Sequence, residues 1–72
     1  MLESFDAGPH WRIVLEPQPE GVYVLVYERE DSKLMKYDYL QDDFAMAKVF
    51  CREEYGTNES SWHEYHGPKV MG

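Results

Sequence analysis

The sequence predicts a single small α+β domain: a three-stranded antiparallel meander, one helix packed on one face of the sheet, and a short fourth strand, in the order β-β-β-α-β. Its 72 residues suffice for one hydrophobic core but not for two. Several segments alternate apolar and polar side chains with the period of a strand, and a later segment repeats with the period of a helix. Polar turns rich in proline, glycine and aspartate separate these segments.

Two strands are predicted in the first third of the chain. Residues 1–9 show no period and are expected to form a flexible arm. His10 to Glu16 alternates as a strand with one buried face, and a proline-rich turn follows it. Val22 to Glu28 is apolar on both faces, which indicates a central strand. The side chains expected to face the helix are Trp11, Ile13, Leu15, Val22, Val24 and Val26.

A third strand and the only helix come next. Leu34 to Leu40 alternates again, with Met35, Tyr37 and Tyr39 expected on the helix side. The helix is predicted from Asp42 to Tyr55, because Asp42 is a suitable N-cap and Gly56 suits the left-handed residue that ends a helix. Its apolar stripe is expected to comprise Phe44, Ala47, Cys51 and Tyr55, widened by Met46 and Phe50.

The last part of the chain predicts a short strand from Ser61 to His66 that carries Trp62. Its place in the sheet does not follow from the pattern. Residues 67–72 are expected to be flexible, like residues 1–9, so that the whole chain, 1–72, forms one domain with loose ends.

One run of residues resembles a known pattern. Asp38-Tyr39-Leu40 leads into a helix with Ala47 and Cys51, then into Glu54-Tyr55-Gly56 and finally Trp62. This is similar to short uncharacterised bacterial proteins in which a D-x-L strand end precedes an alanine-rich helix, an E-Y-G stop and a tryptophan strand. The resemblance covers about half of the chain. It implies a fold, and it brings no activity, cofactor or catalytic residue.

Charge and cysteine content exclude several classes of function. Fourteen acidic and seven basic residues give a net charge of −7, which disfavours binding to nucleic acid or to an anionic membrane. A lone cysteine permits no internal disulfide, and we expect a reducing, cytoplasmic environment. The first residues do not resemble a signal peptide, and no apolar run is long enough to span a bilayer.

The residues most suited to chemistry each have a structural explanation. His63 and His66 are three apart on a predicted strand, whereas a zinc-binding helix needs a spacing of four. Cys51 lies on the apolar stripe, late in the helix, where the dipole does not favour a thiolate. The pair Asp42-Asp43 fits a helix cap. The sequence therefore predicts no catalytic, metal-binding or cofactor-binding residue, and we expect a protein that is not an enzyme.

The feature that points to function is the sheet face opposite the helix. The residues expected there as an interaction face are Arg12, Tyr23, Leu25, Tyr27 and Lys36. Exposed tyrosines beside an arginine are typical of protein-recognition surfaces. The alternative is that the N-terminal arm and the stems of Arg12 and Lys36 half-cover this face.

Three hypotheses follow. The first is an intracellular domain that binds another protein or itself through this face. The second is an acidic inhibitor or immunity-type protein that covers a basic site on its partner. The third is an enzyme that uses Cys51 or a histidine.

Overall fold

The computed structural model describes all residues, 1–72, as one antiparallel sheet with a single helix on one face. The chain thus belongs to the predicted α+β class. The strands are β1 (Leu2–Ser4), β2 (Arg12–Gln18), β3 (Gly21–Tyr27), β4 (Tyr37–Gln41) and β5 (His63–Glu64), and the helix is α1 (Phe44–Tyr55). A short 3-10 turn, Glu59–Ser61, precedes β5. The helix is too short and too polar to cross a membrane.

The sheet has five strands in the order β4-β3-β2-β1-β5, rather than the predicted meander plus one strand. The meander itself is present as β2, β3 and β4. The N-terminal segment is not the predicted flexible arm. Leu2 pairs with Leu15 of β2 on one side and with Glu64 of β5 on the other. Three residues are too few for alternation to be visible in the sequence, so only the neighbouring strands reveal β1.

The main core lies between the sheet and the helix. The valines of β3 face the helix together with two residues of β2, as predicted, and the fully or almost fully buried members of this core are Ala7, Ile13, Leu15, Val22, Val24, Val26, Ala47 and Cys51. Phe44, Phe50 and Tyr55 pack against it from the helix. Met46 does not belong to it, and its side chain is about half exposed.

Two predicted members of the helix-side core lie on the other side of the sheet. Trp11 and Met35 pack against a second cluster formed by Val14, Leu25 and Tyr27. Both residues precede the strands to which they were assigned, since β2 begins at Arg12 and β4 at Tyr37. The alternation of strand side chains therefore does not extend to them.

Strand β2 continues through Pro17 to Gln18, beyond the predicted end at Glu16. Pro17 is paired with Val22 of β3. On the other side of β2, the last pair with β1 is Leu15 with Leu2. Pro17 thus lies past the end of β1, where its missing N–H group costs no ladder hydrogen bond.

The helix begins one residue later than predicted. Its N-cap is Asp43, not Asp42: the Asp43 Oδ1 atom accepts a hydrogen bond from the Met46 N–H at 2.8 Å. A cap carboxylate reaches the third residue of the helix, and Met46 is that residue only if the cap is Asp43. The predicted end is confirmed, since Gly56 has φ 70° and its N–H donates to the Arg52 carbonyl.

Candidate interaction surfaces

The predicted interaction face lies opposite the helix, but it is closed. Leu25 is fully buried and Tyr27 is only 7% exposed. Together with Val14 they form the second cluster, which Trp11, Met35 and other partly buried side chains cover. The sheet thus buries apolar side chains on both faces. Of Tyr23, Leu25 and Tyr27, the β3 residues of the predicted face, only Tyr23 remains partly exposed.

Arg12 helps to close this face and is not free to bind a partner. Its Nη2 atom lies 2.7 Å from Oε2 of Glu3, and its Nε donates to the same oxygen at 2.8 Å. The guanidinium carbon lies 4.6 Å from the ring centre of Tyr65 and 5.5 Å from that of Tyr27. Burial lowers the pKa of Arg12, but the neighbouring Tyr65 and Glu3 raise it by more. The cation therefore serves the packing of this face.

Lys36 lies before β4, at the margin of this face. Its Nζ atom is 2.8 Å from Oε1 of Glu28, and both side chains are well exposed. This contact lowers the pKa of Glu28 and raises that of Lys36. Of the five residues expected to form one interaction face, the structure therefore leaves only Tyr23 and Lys36 accessible, so the five do not form one open face.

An exposed apolar surface lies along β4. This strand has a neighbour on one side only, so the backbone N–H and C=O groups of alternate residues point to the free edge. Tyr37 is 40% exposed and Leu40 is 48% exposed. They lie on opposite faces of the sheet, because Tyr37 pairs with Val26 and Leu40 with Tyr23.

The helix extends this surface on its side of the sheet. The rings of Tyr37 and Tyr39 are stacked with their centres 6.3 Å apart, and Tyr39 lies 4.7 Å from Phe50 of the helix. Met46 is one helical turn before Phe50 and is about half exposed. We call Tyr37, Tyr39, Leu40, Met46 and Phe50, together with the free backbone of β4, the β4 edge.

The sequence predicts the meander but not which of its outer strands stays free. The outer strand of a meander has a free side unless a later strand pairs with it. The short strand after the helix was the only candidate, and it pairs with β1 at the opposite side of the sheet. Met46 was misassigned because it lies at the boundary of the apolar stripe, where helical periodicity is least decisive.

An acidic cleft lies at one end of the β4 edge. It has a volume of about 230 Å³ and lies between the β2–β3 turn and the start of the helix. Its charged lining residues are Glu20, Asp42 and Asp43, and it contains no lysine or arginine. Tyr23 donates a hydrogen bond to Glu20 at 2.8 Å, which raises the pKa of the tyrosine, and the charge of Asp38 acts in the same direction.

The groups considered for chemistry are dispersed. Cys51 is fully buried, and burial raises the pKa of its thiol to about 12. His63 and His66 pair with Glu3 and Glu64, whereas His10 packs edge-on against Tyr37 and Tyr55 elsewhere. No three His, Cys, Asp or Glu side chains are grouped so that they could hold a metal ion.

Comparison with known proteins adds no relative: no protein-family model, no curated protein and no solved structure matches this chain. The resemblance to short bacterial proteins remains a prediction from the sequence. Two of the residues that carry this resemblance, Ala47 and Cys51, are buried, and both pack in the main core.

Proposed function

We propose that the protein is a non-enzymatic cytoplasmic domain that binds another protein by pairing a strand of its partner with the β4 edge. The observation that carries this proposal is that β4 has a free side and exposes Tyr37 and Leu40 on opposite faces of the sheet. The face of Tyr23, Leu25 and Tyr27 that the sequence predicts does not support binding of a partner, because Leu25 and Tyr27 are buried.

The physical support is the composition of this strand. Exposed edge strands usually carry lysines, prolines or bulges that prevent pairing with another chain. Tyr37–Gln41 contains neither lysine nor proline, and Asp38 is its only charged residue. A partner strand would gain main-chain hydrogen bonds along β4, and its alternate side chains would contact Leu40 on one face and Tyr37 and Tyr39 on the other.

The charge around the β4 edge favours a basic partner strand. Asp38 lies within β4, and Asp42 follows its last residue, Gln41. Lys36, which precedes β4, is paired with Glu28. Complementary charge would accelerate association and select among partners. The acidic surface, which the second hypothesis also uses, would thus select the partner, and strand pairing would supply the affinity.

A selection from a peptide library tests the proposal. We expect the protein to enrich extended peptides that alternate apolar and basic residues. Leu40→Lys should weaken their binding at least about tenfold, because it places a gatekeeper charge on the edge. The matched control is Leu34→Lys, which adds the same charge at a side chain that is 81% exposed and outside the strand. Binding that survives Leu40→Lys, or peptides that shift the NMR signals of β2 rather than β4, would refute strand pairing.

The acidic cleft favours a second candidate, an inhibitor or immunity-type protein that receives a lysine or arginine of a basic partner site. In this case Glu20→Gln and Asp42→Asn should weaken binding, and Leu40→Lys should not. Raising the salt concentration from about 0.05 M to about 0.5 M should dissolve the complex, because exposed charges are screened over a few ångströms at high ionic strength. Strand pairing should be less sensitive to salt.

A further inference from the structure

The segment that follows β5 returns across the sheet face opposite the helix. The Tyr65 N–H donates to the Met1 carbonyl at 2.9 Å, which places the Tyr65 ring beneath Arg12 and against the second cluster. The chain then continues past the far end of β2. There the Lys69 Nζ atom donates to the Pro17 carbonyl at 3.1 Å. The segment therefore runs along β2 from Arg12 to Pro17.

The end of this segment is bound to a buried carboxylate. Glu16 is fully buried on the same face of β2 as Arg12 and Val14, and no cation pairs with it. Its oxygens accept hydrogen bonds from the Val70 N–H at 2.5 Å and the Met71 N–H at 2.8 Å. The Gln18 side chain donates a third bond at 2.8 Å. A carboxylate withdrawn from water requires such donors, and two of the three come from the returning segment.

The segment is held by its backbone rather than by its side chains. Val70 and Met71 remain 47% and 39% exposed, so neither side chain is anchored in the core. Residues 67–72 contain no helix or strand that would stabilise them independently. Attachment of this segment therefore depends on Glu16 and on the weaker contact of Lys69.

We propose that residues 67–72 form an intramolecular strap that covers the Glu16 end of the second sheet face, and that Glu16 is the residue that holds the strap. Opening the strap would uncover the Glu16 carboxylate and the adjacent side of β2 without disturbing the strand pairing of the sheet. The exposed site would suit a partner segment that presents two consecutive backbone N–H groups, as the strap does. This inference concerns the face opposite the helix and stands whether or not the β4 edge binds a partner.

Proline substitution tests the strap in the full-length chain. Met71→Pro removes one of the two strap N–H groups that donate to Glu16, and it leaves the carboxylate and the sheet unchanged. The control, Met71→Ala, removes the side chain and keeps the N–H. In the unmodified protein we expect residues 69–71 to show ¹⁵N relaxation typical of an ordered backbone. In Met71→Pro the amides of residues 69 and 70 should become mobile, and exchange of the Val70 amide should accelerate at least about tenfold. Met71→Ala should behave like the unmodified protein.

Substitution of the carboxylate supplies a second measurement. Glu16→Gln retains one acceptor oxygen and should release the strap in the same way, whereas Glu20→Gln, in the neighbouring turn, should not. If Glu16→Gln fails to fold, the Met71→Pro measurement by itself tests whether Glu16 holds the strap. The inference is wrong if residues 69–71 are mobile in the unmodified protein, if Met71→Pro leaves them ordered, or if Met71→Ala releases them equally. It is also wrong if their order increases with protein concentration, since the strap would then bind a second copy.

Discussion

The contacts of Arg12 decide whether the sheet face opposite the helix can bind a partner. As a side chain on an apolar strand it suggests a recognition residue, since arginine beside tyrosine is common at interfaces. In the structure its charge is paired with Glu3, and its flat guanidinium lies over Tyr65 and near Tyr27. The arginine thus completes an intramolecular cluster, and its Nε and Nη2 atoms are engaged with Glu3.

Cys51 should make stability sensitive to alkaline pH. Burial raises the pKa of its thiol from 9.0 to about 12, so the folded state binds the thiol proton more tightly than the unfolded chain does. Its contribution to stability is therefore fully present below about pH 9 and is lost progressively as the pH rises towards 12, by at most about 1.4 kcal/mol per pH unit. Burial also raises the pKa values of Tyr27 and Tyr55, which adds to this loss above about pH 10.

Urea unfolding between about pH 8 and pH 11 measures this dependence. Cys51→Ala should abolish the decline that begins near pH 9 and retain the later decline of the tyrosines. Identical pH profiles of the two proteins would exclude the thiol as the cause.

The same burial predicts that Cys51 resists alkylation until the protein unfolds. Rapid alkylation of the folded protein would instead support the hypothesis of a reactive thiol.

At the scale of the element, the helix is defined by its two ends. Asp43 satisfies a free N–H of the first turn, and Gly56 adopts the left-handed conformation that closes the last turn. Between them only Ala47 and Cys51 are fully buried, while the larger side chains lie at the margins of the stripe. Small residues at the centre allow the helix to approach the valines of β3 closely.

The position of the cap can be tested by a matched pair of substitutions. Asp43→Ala should lower the free energy of unfolding by about 1 kcal/mol, because it leaves the Met46 N–H without its acceptor. Asp42→Ala changes the same charge one residue earlier and should have an effect below about 0.5 kcal/mol. Thermal or urea unfolding of the two variants distinguishes them. A larger loss for Asp42→Ala would place the cap where the sequence predicted it.

At the scale of the whole molecule, β1 determines how far the sheet extends. It is the strand between β2 and β5, so β5 pairs with the sheet only through it. Ser4 of this strand is fully buried, and its hydroxyl lies 2.7 Å from that of Ser61, which connects β1 to the turn before β5. The N-terminal strand and the turn after the helix are thereby joined.

Proline in β1 should destabilise the protein strongly. Glu3→Pro places a residue without an N–H in a strand that is paired on both sides, and we expect a loss of roughly 3 kcal/mol, at the upper end for single substitutions. Glu3→Gln is the control for the lost contact with Arg12 and should cost about 1 kcal/mol. Urea unfolding compares the two. Equal stabilities would mean that residues 1–9 are the flexible arm that the sequence predicts.

The sequence by itself determined the α+β class, the three-stranded meander, the inward-facing valines of β3 and the glycine that ends the helix. Each of these depends on local periodicity or on a single residue's conformational preference. Only the tertiary structure decided the rest. The pairing of Leu2–Ser4, the burial of Leu25 and Tyr27, and the capture of the strap by Glu16 join residues far apart in the chain. Contacts of this kind leave no periodic signal, and they moved the candidate interaction surface from the centre of the sheet to its edge.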